Sequence, residues 1–157
     1  MNKVPMTEVG YKNLQDELKK LVNKKRPAII AAITEARGHG DLSENAEYQY
    51  AKEQQSLIES KISELESTIV QAEVIDISKL SGKEIIFGAT VKIKDQETGE
   101  QSTYQIVGEY ESDIENKKIS ISSPMARGLI GRSENDVVEI NSPKGIKFYN
   151  VISVKFQ

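Results

Sequence analysis

Apolar residues in the first half of the chain recur every three or four positions. Tyr11, Leu14, Leu18 and Leu21 follow a 3,4,3 spacing, which places them on one face of a helix. The stripe resumes, shifted slightly, as Ile29, Ile30, Ile33 and Ala36. Thr7 suits an N-cap, Glu8 suits the positive end of the helix dipole, and Met6 is placed to staple onto Tyr11. Pro27 interrupts this arm. Inside a helix it removes one hydrogen bond and costs ~3 kcal/mol or more, which predicts a kink near Asn23 to Arg26. Gly38-His39-Gly40 then ends the pattern after Arg37. A second stripe follows at once: Ala51, Gln54, Ile58, Ile62, Leu65, Ile69 and Ala72. Two amphipathic helices joined by a tight turn pair antiparallel, each burying the other's stripe. A second helix from Glu44 to Val74 measures about 45 Å at 1.5 Å per residue. That is longer than a small domain, so the turn is expected at the distal end of a projecting rod.

From about Ser78 the period changes to two. Val91 and Ile93 alternate, Thr98-Gly99 offers a turn, and Tyr104 and Ile106 alternate again. Ile119 and Ile121 predict a short strand. Ser123 and Pro124 predict a brief helix as N-cap and first residue, with Gly131 near its end. Val138 and Ile140 precede a Lys144-Gly145 turn. A last strand is expected to carry Ile146, Phe148, Ile152, Val154 and Phe156 on one face. The expectation is therefore two domains: an all-α antiparallel coiled-coil hairpin over residues 1–76, with its tip near 38–47, and an α+β domain with an antiparallel sheet over 77–157.

Composition narrows the class. A hydrophobic fraction of 38% beside 29% charged residues fits a globular protein with a modest core. No apolar run approaches the roughly 20 residues that cross a bilayer, and the first residues lack the apolar stretch of a signal peptide. Absence of cysteine excludes disulfides and thiolate metal sites and agrees with a cytoplasmic setting. Net charge is −3, with 10 basic and 13 acidic residues up to Asp76 and 11 of each afterwards. Bulk electrostatics therefore do not hold nucleic acid; any such contact is local or runs through a partner.

The tip concentrates the candidate chemistry. Asp41, Glu44 and Glu47 lie three apart, and in a helix beginning near Asp41 they fall close to one face. Close carboxylates repel one another unless a cation sits between them. Mg²⁺ accepts one or two carboxylates and completes its shell with water and phosphate oxygens. Spacing alone favours a capping box instead, with Asp41 as N-cap and Glu44 at N3, which requires no function; the place of this cap at the end of a projecting rod is what raises the metal reading. His39 is the only histidine and alone makes no metal site. Arg37 and Lys52 form either a small positive spot flanking the acids or a solvated helix face. The chain lacks a phosphate-binding glycine loop, a nucleophile elbow and a zinc-finger pattern.

At these residues the chain resembles the Gre family of bacterial transcript cleavage factors, nearest its A type. The likeness runs through the whole chain. It is carried by Ile29 to Ile33, Glu35-Ala36-Arg37, Gly40-Asp41-Leu42 and Glu44 to Tyr48, and in the second half by Ile86 to Val91, Ser123-Pro124 and Ala126 to Gly131. The resemblance implies a hairpin that enters the secondary channel of RNA polymerase and an FKBP-like second domain that docks at the rim. It assigns Asp41 and Glu44 to holding the second catalytic Mg²⁺ in the polymerase active site, the free protein binding none. Arg37, Ser43 and Asn45 match neighbouring tip positions. Lys52 matches in type a basic spot near the RNA 3′ end, and Ser123 and Pro124 fall where the family makes polymerase contacts.

On this reading the hairpin completes another enzyme's site and is not itself a nuclease; the partners are bacterial RNA polymerase and the nascent RNA 3′ end. A self-paired hairpin favours a monomer without a membrane partner. The alternative is a regulator that enters the same channel and blocks it without cleavage. An independent hydrolase using Asp41 and Glu44 is disfavoured because a rod tip has no pocket. Prolyl isomerisation rests only on the implied FKBP-like domain, whose half of the chain is poor in aromatics.

Overall fold

Helix periodicity and its one interruption determine the first arm. A computed structural model describes residues 3–40 and 45–157. The described chain forms two compact units, Tyr11–Ala72 and Lys3–Gly10 with Glu73–Gln157. The first arm comprises α1 (Glu8–Lys20), a π-helical turn over Leu21–Lys25, and α2 (Arg26–Arg37). Thr7 caps α1 as expected, its Oγ1 accepting from the Gly10 N–H at 3.1 Å. Where a kink was expected the chain makes a π turn, in which the Arg26 N–H reaches back five residues to the Leu21 carbonyl. Pro27 has no N–H for the Asn23 carbonyl and its ring crowds that group, so the ladder widens there. The wide turn inserts one residue into the period. The apolar stripe therefore steps from Leu21 to Ile29, eight positions, and stays on the same side.

The return arm is α3 (Ala46–Gln71), about 39 Å long at 1.5 Å per residue. The arms run antiparallel: Arg26 pairs with Glu59 at 2.9 Å, while nearer the turn Asn45 bonds to Ala36. Leu14, Ala36, Ala51, Ile62 and Leu65 are buried in this unit. Thr68 joins them, its hydroxyl satisfied by the Glu64 carbonyl at 2.9 Å. Ile30, expected in the stripe, is instead exposed.

Two boundaries differ from expectation. The second helix was expected from Glu44 to Val74; it begins at Ala46 and stops at Gln71. Ala72–Ile75 is strand β2, paired with β1 (Val4–Thr7). Val74 and Ile75 satisfy either period, and only the presence of β1 decides between them. Lys3–Gly10 accordingly groups with the second unit rather than with the hairpin, so the expected division at residue 76 does not describe the first strand.

The second unit is built on β3 (Thr90–Asp95), β4 (Gln101–Val107), β5 (Lys118–Ser120), β6 (Val137–Ser142) and β7 (Gly145–Lys155), in sheet order β5-β4-β3-β7-β6. Three pairings are antiparallel. The expected all-antiparallel sheet fails only at β5, which runs parallel to β4 because two short 3₁₀ turns between them carry the chain back first. One face packs on α4 (Pro124–Leu129) around Ile85, Val91, Ile93, Ile106, Leu129, Val138 and Val151.

The last strand corrects a face. Ile146, Phe148 and Ile152 are exposed, while Val151 and Val154 are buried and Phe156 packs on the core. The register explains this: Ser153 pairs with Lys92 but Val151 pairs with Ile93, so Ile152 is an extra residue in β7. A bulge reverses the in–out alternation, and strict period two carried across it misplaces every residue on one side.

Candidate functional site

The residues flanking the hairpin turn are held by several local devices. After Arg37 the chain tightens into 3₁₀-type bonds, Gly38 N–H to Glu35 O at 3.0 Å and His39 N–H to Ala36 O at 3.2 Å. Gly40 follows at φ +112°, a conformation that L side chains rarely adopt. On the far side Asn45 is the N-cap of α3, with its Oδ1 accepting from the Tyr48 N–H at 3.1 Å. The same side chain donates through Nδ2 to the Ala36 carbonyl at 2.6 Å. One amide thus satisfies a free donor of α3 and a terminal carbonyl of α2 together.

Two further contacts cross the turn. His39 Nδ1 lies 3.2 Å from Glu47 Oε2, an ion pair when the imidazole is protonated. The Arg37 guanidinium sits 6.0 Å from the Tyr48 ring centroid, at the outer range of a cation–π contact. All three links join the last turn and following loop of one arm to the first turn of the other.

This arrangement corrects the local reading at the helix cap and at His39. The cap of the second helix is Asn45 and not Asp41, so the predicted capping box does not start this helix. Glu47 answers His39 across the turn; the reading that sets it on one face with Asp41 and Glu44 falls on positions outside the described residues. His39, taken from sequence as a lone loop histidine, takes part in the brace. The Asn-Ala-Glu-Tyr run did contain the signal, since Asn is among the best N-caps and Glu47 suits the first turn.

Asp41, Ser43 and Glu44 lie outside the described residues. Arg37 and Lys52 have separate partners: Lys52 Nζ donates to Gln55 Oε1 at 3.2 Å. Among the described residues no group of three or more His, Cys, Asp or Glu could hold a metal ion, and no helix is long and apolar enough to cross a membrane.

Ser123 and Pro124 take the positions the sequence predicts. Ser123 caps α4, its Oγ accepting from the Ala126 N–H at 3.2 Å, and exposed Pro124 is the first helical residue. The hydroxyl of Ser123 is therefore already engaged.

A second constellation, not anticipated from sequence, surrounds Glu111. Its carboxylate accepts from the Thr7 N–H at 3.0 Å, the Gly108 N–H at 2.9 Å and the Thr7 hydroxyl. A Cβ on Gly10 would collide with this carboxylate, and one on Gly108 would collide with the Pro5 carbonyl. The cluster ties β1 into the second unit.

Comparison with known proteins covers nearly all of the chain. Residues 4–74 match the family described as "Transcription elongation factor, N-terminal", and residues 80–156 match "Transcription elongation factor, GreA/GreB, C-term". A protein of Caulobacter vibrioides named transcription elongation factor GreA is 54% identical over 156 residues, 99% of each chain. One of Chelativorans sp. with the same name is 56% identical over 99% of each. Among solved structures, GreA factor homolog 1 of Thermus thermophilus aligns over 98% of this chain and 99% of its own, with 26% identity and a TM-score of 0.45.

Proposed function

The chain belongs to the GreA/GreB family of transcription elongation factors, and from that premise we propose that it stimulates the cleavage of backtracked nascent RNA by bacterial RNA polymerase, its tip entering the secondary channel. The observation that carries this reading is the order and extent of the match: both family segments, in sequence, with relatives of 54–56% identity across 99% of both chains.

The role of the chain at the tip is to present ligands. Asp41 and Glu44 supply carboxylate oxygens, hard donors of the kind Mg²⁺ prefers. Two carboxylates leave most of an octahedral shell open, which fits a site shared with polymerase and water rather than one owned by this protein. The chemistry such an ion supplies when held is activation of a water and stabilisation of the leaving oxygen in phosphodiester hydrolysis. Asn45 acts in support: with both ends of its amide engaged between α2 and α3, it holds the frame from which residues 41–44 depart. Ser43 and Arg37 flank the acids, and exposed Lys52, whose bond among the described residues is to Gln55, is available to the RNA 3′ end. Exposed Pro124 with Ser123 supplies the polymerase contact of the second unit. The protein works where polymerase works, in the cytoplasm.

The test uses backtracked elongation complexes. Asp41→Asn and Glu44→Gln should each abolish stimulated cleavage while competition for polymerase binding stays within about twofold of the parent. Excess Mg²⁺ should restore part of the activity, because mass action compensates for a lost ligand. If both variants still stimulate cleavage at saturating factor and limiting Mg²⁺, the carboxylates do not hold the ion.

A further inference from the structure

The strand register determines which side chains share the outer face of the five-stranded sheet. Thr90, Lys92 and Lys94 alternate along β3 with buried Val91, Ile93 and Asp95, so they point away from the core. Cross-strand partners share a face. Thr90 lies opposite Gln105 of β4 and Lys155 of β7, Lys92 opposite Thr103 and Ser153, and Lys94 opposite Gln101 and Asn150. Gln105 in turn lies opposite Lys118 of β5. One face therefore carries Lys92, Lys94, Lys118 and Lys155, interleaved with hydroxyl and amide side chains. None of these four lysines is in an ion pair among the described residues. On the paired positions of this face the acid is Glu139, at the β6 edge opposite Phe148.

A cluster of unpaired cations in a chain of net charge −3 is a local excess that calls for a polyanion. Two shallow depressions, of about 330 and 160 Å³, lie side by side on it and share Thr90 and Thr103. Lys118 to Lys155 spans three strand spacings, about 14 Å, while Lys92 and Lys94 stand about 7 Å apart along β3. Lysines distributed over such a span meet successive charges of an extended chain. Thr, Ser, Gln and Asn between them donate to phosphate and sugar oxygens. On the same face Phe148 is 46% exposed, giving a flat apolar surface on which a base can stack.

We propose that this outer sheet face of the second unit binds single-stranded RNA through Lys92, Lys94, Lys118 and Lys155, with Phe148 stacking on a base. The choice of RNA among polyanions rests on the transcript-cleavage reading above, but the face is separate from the tip. An acidic protein segment fits the charge equally well. RNA is chosen because the proposed function brings this protein to nascent RNA and because the exposed Phe148 ring offers a base a stacking surface, while the competition below tests the protein alternative.

The experiment is fluorescence anisotropy of a labelled single-stranded RNA oligonucleotide with the full-length protein. Four phosphate contacts on a single strand give a slope of about −3 in log K against log salt, so affinity falls about 50-fold between 50 and 200 mM. Each single Lys→Gln change should make the slope shallower by about 0.7, and the fourfold variant should remove binding with its circular dichroism unchanged. Phe148→Ala should weaken binding several-fold and leave the slope unaltered. Asp41→Asn and Glu44→Gln should bind RNA as the parent does, whatever becomes of cleavage, which keeps the two readings apart. The proposal is overturned if the fourfold variant binds normally, or if Lys19→Gln/Lys20→Gln/Lys24→Gln in the hairpin removes binding instead. It is equally overturned if a polyglutamate of matched charge competes as well as unlabelled RNA, which would make the face a protein-docking surface. Should the fourfold variant lose its fold, the slopes of the single variants decide.

Discussion

Replacing Asn45 separates the frame of the tip from its ligands. Asn45→Ala removes the cap of α3, a loss of about 1 kcal/mol. It also removes the amide bond to the Ala36 carbonyl, which contributes about 1 kcal/mol at most. That carbonyl keeps the His39 N–H at 3.2 Å, so it is not orphaned and the second contribution is the smaller. The expected total is about 1.5–2 kcal/mol for Asn45→Ala. Asn45→Ser retains an N-cap acceptor and loses only the bridge, so its cost should be about half as large. Equilibrium urea unfolding followed at 222 nm reads this directly, because α1, α2 and α3 contain 13, 12 and 26 residues against 6 in α4. If the same free energy holds residues 41–44 in working position, stimulated cleavage should fall by roughly 10–30-fold for Asn45→Ala, with polymerase binding little changed. Alanine and serine variants that both unfold within a few tenths of a kcal/mol of the parent would refute the assignment of Asn45 as the brace.

Two other predictions concern the second unit. Gly10→Ala should destabilise the protein by about 1–3 kcal/mol, since its Cβ meets the Glu111 carboxylate. In a double-mutant cycle, Gly10→Ala with Glu111→Ala should cost clearly less than the sum of the two; simple additivity by urea unfolding would show that no collision occurs. Asp95, buried beneath the β3–β4 turn, has its carboxyl held below its ordinary value chiefly by the Glu97 N–H, with help from the Thr98 N–H and Lys147. A depressed carboxyl contributes stability that is present above its unfolded value, about pH 3.9, and is lost as pH falls through the folded value. Asp95→Asn should therefore flatten the acid limb of the stability–pH curve below about pH 4; an unchanged limb by urea titration removes Asp95 from that role.

Much of the architecture was legible in local order. The 3,4 spacing of Leu14, Leu18, Ile62 and Leu65 specifies two facing helices, because a stripe of that period has no other way to leave water. Pro27 announces a defect in the ladder, since a residue without an N–H cannot complete it anywhere. Ser123-Pro124 likewise specifies a helix start from backbone chemistry alone. Asp41 and Glu44 were singled out by residue type and by family likeness, and the brace around them by neither.

Other features depend on partners distant in the chain. Whether Val74 and Ile75 continue a helix or form a strand is decided by Val4–Thr7 being there to pair with them, some 70 residues away. The bulge at Ile152 exists only as a difference between two strands, so no periodicity within β7 alone could reveal that Ile146 and Phe148 face outward. The parallel placing of β5 and the carboxylate of Glu111 beneath Gly10 are of the same kind. So is the lysine face, which gathers Lys92, Lys94, Lys118 and Lys155 from three strands. The sequence by itself determined the elements that balance their own hydrogen bonds and bury their own stripes. Tertiary structure decided register, edges and side-chain clusters, because those energies arise only between segments the chain brings together.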